Sequence, residues 1–221
     1  MARIARVVAP DYPHHVTQRG NRRQKTFFCE ADYRYYLELL VEAKGRAGVE
    51  VWAYCLMPNH VHFVIVPRHT DSLCRFFKEA HRCYTRRINF REGWRGHLWQ
   101  ERFHSFVMDE QYLRATLRYV ELNPVRANLC ARPEQWPWSS VHAHLKGVDD
   151  DIVTVKPMLA LIPQWMEYLR VDVDEKELEA IRRYTRTGRP VEEEEFLSGL
   201  ETVTGRNLRK SKPGPKFDRT M

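Results

Sequence analysis

The stretch Val49-Glu50-Val51-Trp52-Ala53-Tyr54-Cys55-Leu56-Met57-Pro58-Asn59-His60-Val61-His62-Phe63-Val64-Ile65-Val66 decides the fold. Apolar and β-branched residues dominate both sides of a Pro-Asn corner, so the spacing predicts two strands, 49–55 and 60–66, paired as a hairpin. Alternation along a strand puts residues i and i+2 on one face, and His60 and His62 therefore point the same way at a strand mouth. Two imidazoles side by side suit a divalent metal. Two partly exposed histidines at the start of an ordinary strand give the same pattern, and a bare His-x-His does not separate the two readings.

Working outward, residues 14–18 read as a short strand that runs into Arg19-Gly20-Asn21-Arg22-Arg23-Gln24, a basic turn suited to phosphates. Tyr33, Tyr36, Leu37, Leu40 and Val41 recur at helical spacing over 30–46, and Gly48 closes that segment. A second helix is expected over 71–89, with Leu73, Phe76, Phe77, Ala80 and Tyr84 on one face and Arg82 and Arg86 on another. Residues 98–108 read as a strand in which Trp99, Phe103 and Phe106 interleave with Arg102 and His104. Asp109 is a good N-cap for a helix through Asn123, and Pro124 is expected to stop it. The order strand, helix, strand, strand, helix, strand, helix is the split, ferredoxin-like arrangement with one added helix, an α+β fold with an antiparallel sheet and packed helices. Residues 1–148 are expected to form this domain, 149–204 a separate and mostly helical extension, and 205–221 a disordered basic tail.

Of 221 residues, 36 are Lys or Arg, and the net charge is +7. The basic side chains cluster: six in residues 1–30, nine in 68–104 and six in 205–221, while acids gather at 149–151, 172–179 and 192–195. Such segregation favours a polyanionic partner, nucleic acid first; a merely soluble basic surface is the alternative. No long apolar run fits a membrane span, and the first residues lack the apolar stretch of a signal peptide. Five scattered cysteines without a C-x-x-C point to reduced thiols and a cytoplasmic protein.

On the helix that starts at Asp109, Tyr112, Thr116, Tyr119 and Asn123 share one face. An amide oxygen four residues beyond a phenol could join the two imidazoles on a hard metal. A half-buried tyrosine followed by the Asn-Pro of a helix stop explains the same residues.

Met57-Pro58-Asn59-His60-Val61-His62 together with Tyr119-Val120-Glu121-Leu122-Asn123-Pro124-Val125 resembles the HUH-type single-tyrosine transposases. The branch it is most similar to is the REP-associated tyrosine transposases, which His15-Val16-Thr17-Gln18-Arg19-Gly20-Asn21-Arg22-Arg23-Gln24, Leu98-Trp99-Gln100-Glu101-Arg102-Phe103 and Trp138-Ser139-Ser140 also resemble. The matches run in family order over residues 7–145. The resemblance implies a ferredoxin-like nuclease fold in which His60 and His62 bind Mg²⁺ or Mn²⁺. Tyr119 matches the nucleophile that attacks a single-strand DNA phosphate. Asn123 falls where the family places a further metal ligand, a position held by Gln in other branches.

The partner implied is single-stranded or hairpin DNA, engaged by a homodimer or a monomer in the nucleoid of a bacterial cytoplasm. With that partner, the candidate DNA contacts are Gln18, Arg19, Asn21, Arg22 and Arg23 in the basic loop, Arg82 and Arg86 on the second helix, and Trp99 and Arg102 further on. Arg206, Arg209, Lys210 and Lys212 in the tail complete the set. Gly188-Arg189-Pro190 looks like the core of a minor-groove-binding tail or is a plain loop. Two other readings stand beside the nuclease: a non-catalytic protein on palindromic DNA repeats, and a zinc protein using Cys55 with His60 and His62, which lacks a fourth ligand.

Overall fold

The computed structural model describes residues 5–171 and 174–209. Along the chain come β1 (His14–Arg19), α1 (Glu30–Ala47), β2 (Val49–Met57), β3 (His60–Pro67), α2 (Ser72–Glu92), β4 (His104–Val107) and α3 (Glu110–Glu121). Then follow α4 (Asn123–Arg126), α5 (Val141–Lys146), α6 (Lys156–Leu161), α7 (Trp165–Arg170), α8 (Glu175–Thr187) and α9 (Glu194–Thr204). The sheet order is β2-β3-β1-β4 with every pair antiparallel, the ferredoxin-like arrangement expected from the order of elements.

Alternation sorts the strands between two cores. Val61, Phe63 and Ile65 face α1 and α2, where they meet Tyr36, Leu40, Phe76, Phe77 and Tyr84. Val64 faces the other way, with Phe106, against Leu113, Leu117 and Val120 of α3. His60 and His62 share the α3 face with Val64 by the same two-residue period. A register shift between Val51 and Ala53 lets β2 keep apolar residues on both faces, Val51 in one core and Ala53, Cys55 and Met57 in the other. Each fully buried Phe or Leu in these layers contributes about 1.5–3 kcal/mol of transfer free energy.

Two elements differ from the sequence expectation. The strand expected over 98–108 is regular only from His104 to Val107. Trp99 pairs with Gly20 beyond the end of β1, and Glu101, at φ 53°, then turns the chain out of the extended region. The helix expected to run through Asn123 ends at Glu121. Leu122 caps it, and Asn123-Pro124 opens α4, because proline is tolerated in the first turn, where its missing N–H has no partner to lose.

The described residues of the segment 149–204 are mostly helical, and the segment packs on the sheet. Val153 pairs with Val51, and the Thr154 N–H donates to the Val51 carbonyl. Further along the same edge, the Leu56 N–H donates to Trp138 O and the Ser140 N–H to Tyr54 O, so residues 138–154 cover the open side of β2. Ile181 and Tyr184 of α8 join the α3-side core, while Leu197 and Leu200 of α9 pack on Val7, Ala9 and Val107. Within the segment expected to be a disordered tail, Gly205 closes α9 in the left-handed region at φ 64°, and Leu208 is buried. Residues 210–221, with Lys210 and Lys212, lie outside the described residues.

His14 shows how tightly β1 is held. Its Nδ1–H donates to Tyr12 O at 2.8 Å, and its Nε2 accepts the Ala9 N–H at 3.2 Å, so both nitrogens are used by the neutral ring. Burial pushes its pKa down to about 4, against an opposing hydrogen bond to Tyr12. The unfolded chain takes up this proton near pH 6.5, the folded chain only near 4, so the unfolded state binds more protons between those values and stability rises with pH. The contribution is fully present above pH 6.5 and is lost as the pH falls toward 4. Denaturation midpoints should therefore drop across that window. His14→Gln should flatten the drop by about 3 kcal/mol, from 1.36 kcal/mol per pH unit over that window. An unchanged pH slope in the variant would remove His14 as its cause.

Candidate active site

At the mouth of β3, Asn59 uses both ends of its amide. Its Nδ2 donates to Arg23 O at 3.0 Å, and its Oδ1 faces Nδ1 of His60 at 2.6 Å. An amide oxygen only accepts, so Nδ1 of His60 carries the proton and its Nε2 lone pair is left bare. The Gly20 N–H donates to Asn59 O, and the Thr26 and Phe27 N–H groups to Pro58 O, which ties the basic loop to the hairpin turn. Gly20 is needed for this approach: a Cβ there would sit 2.8 Å from Thr26 Cγ2.

His62 lies two residues deeper and is buried. Its Nδ1 is 3.0 Å from Nε2 of His15 on β1. Its Nε2 is buried with no hydrogen-bond partner among the described residues. Its ring stands T-shaped to the Tyr119 ring at 5.4 Å between centroids and T-shaped to the His60 ring at 4.9 Å. His15 and His62 both stand against α3, so β1, β3 and α3 together place the phenol beside the histidine pair.

Burial holds all three imidazoles neutral at physiological pH. It pushes His60 down to about 4, assisted by the charge of Arg19. Burial pushes His15 down to about 3. His62 goes well below its ordinary value, again mainly by burial, with His60, His15, Arg19 and Arg126 adding to the effect. Neutral imidazole is the form that ligates a metal. The bare Nε2 of His60 and the unpartnered, buried Nε2 of His62 therefore fit a divalent cation. Asn123 is buried at the start of α4, one turn beyond Tyr119. Among the described residues no cluster of three or more His, Cys, Asp and Glu could hold a metal. Cys55 is buried beside His62 in the neighbouring strand, with its thiol pushed well up by burial, which disfavours the thiolate that zinc needs.

The family described as Transposase IS200 like matches residues 9–123, just over half of the chain. The chain belongs to this family. A protein of Haemophilus influenzae named as a candidate REP-associated tyrosine transposase is 27% identical over a match covering 44% of this chain and 62% of its own length. The chain thus spans about three fifths of that relative. A solved structure of a REP-associated tyrosine transposase bound to a REP hairpin overlays on 70% of this chain and 92% of that one, with a TM-score of 0.58 at 20% identity, a likeness of fold.

The candidate DNA contacts divide by exposure. Arg19, Arg22 and Arg23 are exposed, and Arg22 and Arg23 sit in the left-handed region at φ 52° and 61°, where the surrounding hydrogen bonds hold a strained, protruding loop. Asn21 is half-buried in the same loop. Arg86 and Arg102 are exposed, and Arg82 is exposed but ion-paired with Glu79. Gln18 and Trp99 are buried. The amide of Gln18 donates to Gln100 O and Glu101 O and holds that turn. Trp99, 7% exposed, packs against Phe27, Tyr36, His81 and Tyr84, because its pairing with Gly20 turns the indole toward α1 and α2. Phe103 and Phe106 are core as well, whereas Trp94 nearby is exposed. Arg206 donates to the carbonyls of Ala5 and Arg6, and Arg209 pairs with Glu194 and Glu201. Gly188 caps α8 at φ 66°, which makes Gly188-Arg189-Pro190 a helix-ending turn.

Sequence reasoning passed over four residues that build the site. Arg126 places its guanidinium 4.7 Å from the centre of the Tyr119 ring. His15 was visible only as part of a motif, since the register that sets it against His62 is a long-range property. Glu121 and His144 form a buried cluster under α3. Oε1 of Glu121 accepts from Ser140 Oγ at 2.8 Å and from His144 Nδ1 at 2.6 Å, and Oε2 accepts from Trp165 Nε1 at 2.7 Å. Glu121 lies between Tyr119 and Asn123 in sequence, so this cluster fixes the end of α3, which carries Tyr119, where it meets α4, which Asn123 opens. Glu121→Ala would leave the indole and imidazole N–H groups buried without an acceptor, each costing about 1–3 kcal/mol. The variant should lose about 3 kcal/mol or more in a urea denaturation, and Glu121→Gln, which keeps an acceptor, clearly less. A loss below about 1 kcal/mol for the alanine variant would mean that the cluster does not anchor α3.

Proposed function

We propose that the chain is a divalent-metal-dependent endonuclease and strand transferase acting on single-stranded or hairpin DNA. Tyr119 is its nucleophile, and His60, His62 and Asn123 are its metal ligands for Mg²⁺ or Mn²⁺. The observation that carries this reading is the buried, partnerless Nε2 of His62 beside the Tyr119 ring. Membership of the IS200-like transposases supports it, and the hairpin held by the fold relative supports the choice of substrate.

A phosphodiester repels nucleophiles by its negative charge, so catalysis rests on positioning and on charge placed where the transition state needs it. When bound, the metal supplies neutralisation of a nonbridging oxygen and orientation of the phosphate. The phenol oxygen of Tyr119 then bonds to phosphorus as the scissile P–O bond breaks. The phenolic proton leaves to solvent, and the departing strand oxygen takes up a proton. The phosphotyrosine ester conserves the bond, so a strand hydroxyl can reverse the step without ATP. Arg126 and Arg19, the charges felt at the histidine pair, neutralise the phosphate from the protein side.

Incubation with a hairpin oligonucleotide and Mn²⁺ should give a covalent adduct on a denaturing gel. Tyr119→Phe should abolish it. His60→Ala and His62→Ala should each lower cleavage on the order of 100-fold or more, the scale of losing one electrostatic stabiliser. Hairpin affinity should stay nearly intact in both, because it comes from many phosphate contacts. An adduct that persists in Tyr119→Phe assigns the nucleophile elsewhere. Hairpin binding without cleavage in either metal would make the chain a DNA-binding protein that keeps the fold without the reaction.

A further inference from the structure

We infer that Thr185, on α8 in the C-terminal extension, is a positioning residue that acts through His15 to decide which nitrogen of His62 is left bare. The inference rests on the metal reading above. Oγ1 of Thr185 is 3.2 Å from Nδ1 of His15, and Nε2 of His15 is 3.0 Å from Nδ1 of His62. The two rings are parallel within 2°, with centroids 5.2 Å apart. That separation is what two rings hydrogen-bonded edge to edge in one plane require, so the contact is an N–H···N bond rather than a face-to-face stack. The chain of contacts runs from α8 to His62, whose ring stands beside that of Tyr119.

A neutral imidazole carries one N–H, so the chain has two directions. In one, Thr185 donates to His15, His15 donates to His62 through Nε2–H, and His62 must then carry its proton on Nε2. That nitrogen is buried without an acceptor. In the other, His62 Nδ1–H donates to His15 Nε2, and His15 Nδ1–H donates to Thr185 Oγ1. His62 Nε2 is then a bare lone pair, the form a cation needs. An orphaned buried N–H is the costlier state, and the hydroxyl of Thr185 can accept, so the second direction is favoured. A ligating histidine ordinarily has its far nitrogen fixed by a carbonyl or carboxylate; here a second histidine takes that place, and a hydroxyl fixes the second histidine.

The position of Thr185 is itself defined. Its neighbour Tyr184 is buried with its ring 5.6 Å from Phe106 and 5.2 Å from Tyr112, which pins α8 against β4 and α3. Thr185 lies outside residues 9–123, the part of the chain that matches the family. The extension therefore supplies a component of the site that the matched domain lacks.

The test uses the full chain. Thr185→Val keeps the shape and removes the hydroxyl, Thr185→Ser keeps the hydroxyl, and unchanged thermal melting of both controls for folding. In metal-free wild type, ¹⁵N shifts of labelled histidine should show His62 protonated at Nδ1 and bare at Nε2. Thr185→Val should mix the two tautomers and weaken Mn²⁺ binding, measured by calorimetry, by about 10-fold, the lower end of what losing an outer hydrogen-bond partner costs a metal site. Thr185→Ser should restore both. A proton on Nε2 of His62 in the wild type overturns the inference, as does a valine variant with unchanged shifts and unchanged Mn²⁺ affinity. If the wild type takes up no Mn²⁺, the metal reading fails on its own, and the ring shifts alone then decide whether Thr185 sets the tautomer.

Discussion

An imidazole buried at the centre of a sheet has two nitrogens to satisfy and one proton with which to do it. At His62 one nitrogen faces His15 and the other has no hydrogen-bond partner among the described residues, and the rest of the site is arranged around that asymmetry. Leaving a polar atom orphaned in a core is a standing cost, and among the buried side-chain atoms without a partner the Nε2 of His62 is the one on a ring stacked edge to face with that of Tyr119 and beside a second histidine. The surroundings reinforce the reading. His60 is left with a bare Nε2 by Asn59, the phenol of Tyr119 stands against both rings of the His15–His62 pair, and Arg19 and Arg126 bring positive charge to bear on His62.

Holding a neutral histidine pair against one helix requires that the helix cannot slide. Apolar packing of Leu113, Leu117 and Val120 sets its depth but resists rotation weakly, because hydrophobic contact is not directional. The directional restraint comes from Glu121, whose carboxylate gathers donors from Ser140, His144 and Trp165. Those donors lie in the segment after Pro137, in α5 and in α7. The C-terminal chain thus reaches the site twice, once beneath α3 through Glu121 and once beside β1 through Thr185. An extension that reads in sequence as an appendage is in packing terms part of what positions Tyr119.

The hairpin at 49–66, the helix at 30–47 and the order of elements were legible because they rest on local periodicity and on Gly48 and Pro58 as punctuation. His60, His62 and Tyr119 were legible as residues, since strand and helix periods state which side chains share a face. What was not legible depends on register and on contacts between distant segments. Trp99 looked like a DNA contact, but its pairing with Gly20 turned it inward. Gln18 looked like a DNA contact and instead ties down the turn at 100–101. The role of His15 needed the pairing that sets its strand against β3, and Thr185 has no local signal at all: its partner is 170 residues away.

The same distinction narrows where a polyanion can run. Composition counts every arginine alike, but a guanidinium already bonded to a carboxylate or a carbonyl offers less to a phosphate, because its charge is partly neutralised and its donors are taken. Arg82, Arg206 and Arg209 are committed in that way to Glu79, to the chain near Ala5, and to Glu194 and Glu201. Arg22 and Arg23 make no ion pair among the described residues, and their loop is fastened by Asn59 to the turn that carries His60. A strand held by that loop would therefore be registered directly against the histidine pair, with no flexible segment between phosphate grip and chemistry. Under the proposed function, this loop rather than the tail sets the position of the scissile phosphate, and the remaining basic clusters contribute attraction that is blind to register.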